Sequence, residues 1–392
     1  MSKPNKLLDR DRLSLIRLPI NTQLILPLLV ACLVAIPVGF LAFQLLIPRW
    51  EIWQQLWETT LPRMLGNTLF LLVVVGIGTF TIGTGLAWLV TAYRFPARGL
   101  FDRALLLPLA IPSFVMGFVF MATFDFTGPV QTFLRDLFGR GFRINIRTGW
   151  GAAIVLISVL YPYVYMLARA AFREQAASTF EAARVMGYSR VRALFKLILP
   201  LARPSLIAGV TLALMETITD FATVRFFSFP TLSEGVVRLW EGRMDRDAAI
   251  EVATLLLFLA LGLILLERSL RGQARYYQAG GKGRRPERVQ LRGVSAWAAF
   301  VICLLVLGFA FVLPAGVLSV WTYREIVIGS EIGTWETVYG QYIFNSFSFA
   351  GSAAILTVLL AIGVAAGVRG HGTRFARGLA RFATLGYALP GS

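Results

Sequence analysis

Apolar residues run in long blocks separated by short polar stretches. Neither the one-sided stripe of a surface helix nor the alternation of a half-buried strand produces that pattern. Blocks lie near 22–47, 66–93, 104–124, 150–171, 204–223, 249–267, 294–320 and 345–368, and a ninth begins near 379. Each completed block has about the 20 residues that a helix needs to cross a hydrocarbon core. The pattern predicts an all-α, polytopic bundle of transmembrane helices. Composition agrees, since 57% of the 392 residues are hydrophobic and only 15% are charged, far from the balance of a soluble domain. The first block follows Lys3, Lys6, Arg10, Arg12 and Arg17 but is too long for a signal-peptide core, and no small-residue cleavage site follows it. It is expected to remain as an anchor, kinked at Pro27 or Pro37.

The net charge of +17 raises the question of nucleic acid. The basic residues, however, do not gather into one basic domain with interleaved aromatics, so no nucleic-acid partner is expected. They sit in alternate loops. The N-terminal tail and the loops near 94–103, 169–203, 268–292 and 369–381 hold 27 of the 38 Lys and Arg. By the positive-inside rule these segments, the N-terminus included, face the cytoplasm. The loop near 125–149 departs from the rule, with Arg135, Arg140, Arg143 and Arg147 on the expected outer side.

One basic loop between two blocks stands out. It contains Glu181-Ala182-Ala183, then Gly187, then Leu197-Ile198-Leu199-Pro200. Ser178 with Glu181 forms a capping box for a short helix, Gly187 tolerates the positive φ of a turn, and Ser189 suits the N-cap of a second helix. On that second helix Val191, Leu194, Leu197 and Ile198 recur at helical spacing, and Pro200 is expected to stop it. Two short helices joined at a glycine make a knob that fits a groove on a soluble partner; the bland alternative is a helical hairpin in which Glu181 only caps. The spacing resembles the coupling-loop motif of the inner-membrane permeases of binding-protein-dependent ABC importers, with Leu197 where that motif usually has Ile. The resemblance implies a type I permease fold, a coupling surface made by Glu181, Ala182, Ala183, Gly187, Val191, Leu194, Leu197, Leu199 and Pro200, and three partners: ABC ATPase subunits, a periplasmic binding protein and the lipid bilayer. ATP and Mg would be used by the ATPase, with no cofactor held by this chain.

An internal repeat adds a second level of organisation. Asn67-Thr68-Leu69 and Asn345-Ser346-Phe347 open comparable blocks, and each block is followed by Ala-Arg-Gly-Leu, at Ala97–Leu100 and Ala376–Leu379. A proline segment then follows in each copy, Ile111-Pro112-Ser113 and Leu389-Pro390-Gly391. The expected layout is a cytoplasmic tail (1–21), a first permease unit (22–267, coupling loop 172–203), a basic linker (268–293) and the start of a second unit (294–392). By the repeat offset a second coupling loop is expected at about position 459, so the chain reads as a C-terminally incomplete copy of a duplicated permease. That duplication, with Tyr161-Pro162-Tyr163-Val164-Tyr165, Glu216-Thr217-Ile218-Thr219-Asp220 and Arg275-Tyr276-Tyr277-Gln278, is most similar to ferric-iron permeases. Permeases for thiamine, polyamines or inorganic anions share much of the plan.

Glu216 and Asp220 lie four residues apart on one helical face inside a block. If the helix enters the membrane at Pro204, a rise of about 1.5 Å per residue puts Glu216 about 18 Å deep, where an acid costs roughly 2.5–3.5 kcal/mol unless it meets a polar lumen or a partner. Both carboxylates are candidates for the translocation path, where they would suit a hard cation. The alternative is that Glu216 makes one interhelical hydrogen bond and Asp220 ends the helix. Tyr161, Tyr163 and Tyr165 are expected mainly in helix packing, and Gly76, Gly78, Gly83 and Gly85 in close helix approach. The charged outer loop near 224–248 reads equally as a docking surface or as a solvated loop.

His371 is the only histidine, Cys32 and Cys303 both fall inside apolar blocks, and no Gly-x-x-x-x-Gly-Lys-Ser/Thr occurs. No His-based catalytic site, disulfide or confidently assigned metal site is expected, and the chain reads as a transport subunit without enzyme activity of its own. A secondary transporter would also carry repeats and an intramembrane acid, and a non-transporting scaffold would carry neither activity, but neither has a use for the segment from Glu181 to Pro200.

Overall fold

A computed structural model describes residues 22–44, 49–174, 185–242, 245–271, 288–328, 335–371 and 374–383. The helices are α1 (Thr22–Gln44), α2 (Trp50–Thr59), α3 (Leu61–Ala92), α4 (Arg98–Ala104), α5 (Ser113–Phe124), α6 (Pro129–Phe138) and α7 (Gly149–Glu174). They continue as α8 (Leu199–Thr219), α9 (Ala222–Phe226), α10 (Leu232–Val237), α11 (Arg246–Arg271), α12 (Val294–Leu307), α13 (Leu313–Ile328), α14 (Trp335–His371) and α15 (Arg374–Ala383). Seven described helical segments are long and apolar enough to cross a membrane, and α1 contributes a shorter apolar stretch, Leu24–Phe40. The described helices fall into two compact units: α2 through α13 form one, and α1 joins α14 and α15 in the other.

In the larger unit α3, α7 and α8 form the centre. They pack closely because glycines face backbone. A Cβ on Gly83 of α3 would sit 2.8 Å from Val164 Cβ and from the Tyr161 carbonyl, and one on Gly209 of α8 would sit 2.8 Å from Val164 Cα. Val164 of α7 is thus held between two helices at backbone distance, as small residues allow. Gly76 also faces a neighbour, Leu214, whereas Gly85 faces open space. Three apolar cores follow along the bundle. One joins Trp88, Tyr161, Ile198 and Cys303, a second joins Val75, Phe120, Leu156 and Phe227, and a third joins Met64, Leu232, Leu239 and Leu256.

Two predicted elements differ from what is observed. The block at 104–124 is not one helix: α4 gives way to a tight 3₁₀ turn at Leu107–Ala110, then to extended backbone at Ile111, before α5 begins. Pro112 explains the break, since it has no N–H to donate and disfavours helical backbone at Ile111. Conversely, Pro200 does not stop a helix. The helical turn Arg190–Ala193 runs through a wide π turn at Leu194–Ile198 directly into α8, and a π turn is a recognised way for a helix to absorb such a local defect. A second π turn, Gly308–Val312, precedes Pro314 in the same way.

The arginines of the loop near 125–149 have a structural explanation. Arg147 pairs with Asp125 at 2.6 Å, Arg135 donates to the Phe126 carbonyl at 2.6 Å, and the guanidinium groups of Arg135 and Arg143 lie 4.4 and 4.9 Å from the Phe126 ring centre. These arginines tie the loop to itself. In the loop near 224–248, Glu234 is buried and paired with Arg238 at 2.7 Å, Arg225 approaches Glu241 at 3.7 Å, and Asp247 pairs with Arg49. Much of its charge is therefore neutralised locally.

The repeat is visible in the helices. α3 followed by α4 matches α14 followed by α15, and the Ala-Arg-Gly-Leu motif starts or lies within the short second helix in each copy. α15 is amphipathic, with Arg374, Arg377 and Arg381 at helical spacing opposite Phe375, Leu379 and Phe382. The expected ninth block, beginning near 379, falls mostly on residues outside the described ones. The end of the basic linker and the helix after it belong to the larger unit: Val289–Gln290 forms a short parallel pair with Tyr93–Arg94, and Phe300 of α12 packs edge-on against Phe101 at 5.5 Å. In the smaller unit Gly363 of α14 approaches Leu26 of α1 closely, while Phe344, Phe347 and Phe349 are exposed.

Candidate functional site

Two sites emerge, one at the loop after α7 and one inside the bundle. Glu181, Ala182 and Ala183 lie outside the described residues. Gly187 has a φ of 74°, the left-handed region in which a side chain is disfavoured. Ser189 accepts a hydrogen bond from the Arg192 N–H at 3.3 Å and, through its carbonyl, another from the Ala193 N–H at 2.8 Å, so it caps the following turn.

The expected apolar stripe divides in two. Leu194 and Leu199 are half-buried against the core that holds Trp88, and Ile198 within it is only 1% exposed. Leu197 is half-buried, and Pro200 is exposed where the helix continues into α8. Val191 instead faces outward at 58% exposure. Val185, Met186 and Phe195, which were not among the predicted contacts, are exposed at 89%, 52% and 64%. The outward patch is therefore Val185, Met186, Val191 and Phe195, while Leu194 and Leu199 anchor the turn to the bundle. The wide turn at Leu194–Ile198 causes the shift, because it rotates the residues after it relative to a regular helix, and the 3.6-residue stripe does not reveal it.

Within the bundle, Glu216 and Asp220 line one cavity of about 230 Å³ with Ser113, Tyr163, Pro112 and Leu160. The break at Ile111-Pro112 opens this space between the 3₁₀ turn and α5. Asp220 ends α8, and its two carboxylate oxygens accept the Thr223 N–H at 2.7 Å and the Thr223 hydroxyl at 2.6 Å. Its carbonyl accepts the Ser233 hydroxyl at 3.0 Å. Asp220 thus borders the cavity while capping α9. Glu216, one turn earlier, is half-buried and presents the cavity's other carboxylate. No lysine or arginine lines this cavity among the described residues.

The tyrosines separate by role. Tyr161 donates to the Leu105 carbonyl at 3.0 Å and Tyr165 to the Asp102 carbonyl at 3.1 Å, so both fasten α7 to the end of α4. Tyr163 alone faces the cavity. Among the described residues no group of three or more His, Cys, Asp or Glu is placed to hold a metal ion.

Comparison with known proteins places this geometry. Residues 80–266 match the family model of the binding-protein-dependent transport system inner membrane component. The chain is 25% identical over 313 residues to the Fe(3+)-transport system permease protein FbpB 2 of Haemophilus influenzae, which covers 78% of this chain and 57% of that protein. It is 30% identical over 259 residues to the sulfate transport system permease protein CysT of Salmonella typhimurium, covering 63% of this chain and 90% of that one. With the molybdenum transport system permease protein ModB of Escherichia coli it shares 30% identity over 174 residues, 44% of this chain and 72% of that one. The chain thus spans little more than half the length of the iron relative, and its match covers nearly all of the sulfate relative. With its helical bundle and its seven apolar crossings, it belongs to the binding-protein-dependent inner-membrane permeases of ABC importers.

Proposed function

We propose that this chain forms the translocation path of an ATP-driven importer for a hard metal cation, ferric iron first among them, delivered by a periplasmic binding protein. The observation that carries this reading is the cavity bounded by Glu216 and Asp220. Its polar lining consists of carboxylate, phenol and hydroxyl oxygens, the donor types that hard cations select, and a dianion such as sulfate or molybdate would meet only like charge there. Glu216 and Asp220 are the two carboxylates that this cavity presents to a passing ion. The iron relative supports the same reading.

In this reading the N-terminus faces the cytoplasm, ATPase subunits dock against Val191 and Phe195 beside Gly187, and ATP with Mg is bound and hydrolysed by those subunits. Closure of the ATPases moves the turn before α8, and α8 carries the movement to Glu216. The chain itself contributes a path and a lever rather than catalysis.

The sulfate relative, matched over most of its length, favours a second reading as an oxyanion permease. Uptake of radiolabelled ferric iron and of radiolabelled sulfate, in cells expressing the protein with its ATPase and binding protein, separates the two. Iron uptake that disappears in Glu216→Gln while sulfate uptake stays at background supports the first. Sulfate uptake that is unaffected by Glu216→Gln replaces it with the second.

A further inference from the structure

A second cavity, of about 340 Å³, lies where the last turn of α3, the start of α4, the end of α7 and the strand residue pair beginning at Val289 come together. Arg98, Arg173 and Arg288 line it, with Asp102, Glu174 and the apolar wall of Phe172. The charges do not balance. Both carboxylate oxygens of Asp102 already accept Arg173, at 2.5 and 2.7 Å, and Arg169 adds a contact at 3.3 Å. Arg98 spends its Nε on the Val90 carbonyl at 2.6 Å, closing the C-terminal turn of α3.

What remains is two buried guanidinium nitrogens with no hydrogen-bond partner, Nη2 of Arg98 and Nε of Arg288. Neither arginine forms an ion pair among the described residues. A buried charged donor left unsatisfied is costly, so two in one cavity are a strong demand for an acceptor. The surrounding field makes the same demand: burial, then the nearby Arg98 and Arg173, pull the Arg288 pKa below its ordinary value. Burial also lowers that of Arg98, with Asp102 opposing and Arg173 adding to the shift.

We propose that this cavity binds a phosphate group, held by Arg98, Arg173 and Arg288. Several guanidinium forks converging on one cavity suit a tetrahedral oxyanion, whose oxygens accept hydrogen bonds from several directions. Two sources supply that chemistry at this depth. Thr91 and Phe172 mark the ends of two membrane helices, which is where the headgroup of an anionic lipid sits, and the cavity also admits free phosphate. In either case the ligand bridges Arg288, near the end of the basic linker, to α4 and α7, and so fastens that end of the linker to the first permease unit.

The test uses the full chain purified in mild detergent, with saturable binding followed by native mass spectrometry and by thermal shift. The probes are dioleoylphosphatidylglycerol, inorganic phosphate and, as a phosphate-free lipid, monogalactosyl diacylglycerol. Arg288→Gln should weaken binding of the phosphate-bearing probe at least ~10-fold, the scale of one charge-assisted contact, with Arg288→Lys intermediate and Arg140→Gln, on the exposed outer loop, unchanged. Arg98→Gln is a harsher variant because it also opens the bond to Val90; Arg288 makes no such bond, so its variants keep the test valid if Arg98→Gln fails to fold. Binding of the phospholipid alone identifies a headgroup site, and binding of inorganic phosphate identifies a soluble-anion site. Equal binding of the galactolipid, an Arg288→Gln protein that binds as the unaltered one does, or no saturable binding of either phosphate probe overturns the proposal.

Discussion

The side-chain amide of Asn67 donates to the backbone carbonyl of Pro230 at 2.8 Å, across 163 residues of sequence. Beside it the Thr68 hydroxyl donates to Met64 and accepts the Leu232 N–H at 3.0 Å. Two consecutive residues at the start of a membrane helix thus pin the turn that leads into α10. Replacing Asn67 with Ala leaves a part-buried carbonyl without its donor and should destabilise the protein by about 1–3 kcal/mol. Thermal unfolding in detergent measures the loss; an unchanged midpoint would mean that water takes the place of the amide.

Glu216 and Asp220 share a cavity but should respond differently to loss of charge. Glu216→Gln is expected to abolish metal uptake while leaving insertion and ATPase assembly intact. Asp220→Asn keeps one oxygen for the Thr223 N–H, so it should lower stability by about 1 kcal/mol, the scale of a weakened helix cap, and retain most uptake. Uptake and melting temperature measured on both variants check the distinction, which is lost if the two behave alike.

Much of this arrangement was legible in the amino-acid order. The apolar blocks gave the helices, Gly187 and Ser189 gave the turn and its cap, and Asn67 and Asn345 each lie in a long apolar helix. The break before α5 was also present in principle, since Pro112 forbids what the hydrophobic block suggests, but block length outweighed it. The wide turn before Pro200 left no such trace. Apolar periodicity assumes regular helix; Leu194 of the stripe and Leu199 of the motif are half-buried against the core, and the stripe passes over the exposed Phe195. The anion cavity was equally hidden, because Arg98, Arg173 and Arg288 come from three distant segments and look like ordinary positive-inside charges.

At the coupling surface, exposed and buried residues of the same stripe should separate function from folding. Val191→Asp and Phe195→Asp should reduce co-purification of the ATPase at least ~10-fold, as loss of an interface anchor does, without lowering the melting temperature. Ile198→Asp places a charge in a dry core and should unfold the protein. ATPase retention by the Val191 and Phe195 variants would move the docking surface elsewhere.

The glycine contacts predict a sharp contrast along one helix. Gly83→Val would drive a side chain into the backbone at Tyr161 and Tyr165, and with little room for α7 to shift it should cost about 3 kcal/mol. Gly85→Ala faces open space and should be neutral or slightly stabilising through improved helix propensity. Expression yield and thermal stability of the two single variants, compared side by side, decide the matter.

Because the chain passes from Arg190 to Thr219 without leaving helical geometry, the loop and the cavity are opposite ends of one rod. The 21 residues from Phe195 to Glu216 span about 30 Å at helical rise. A rod of that length turns a small tilt at one end into a displacement of the same angular size at the other, with no relay of side chains required. The wide turn at Leu194–Ile198, set against the core by Ile198, and Pro204 within α8 are places where this rod departs from regular helix, so in the proposed mechanism they set how much of an applied torque reaches the carboxylate and how much is absorbed as bending.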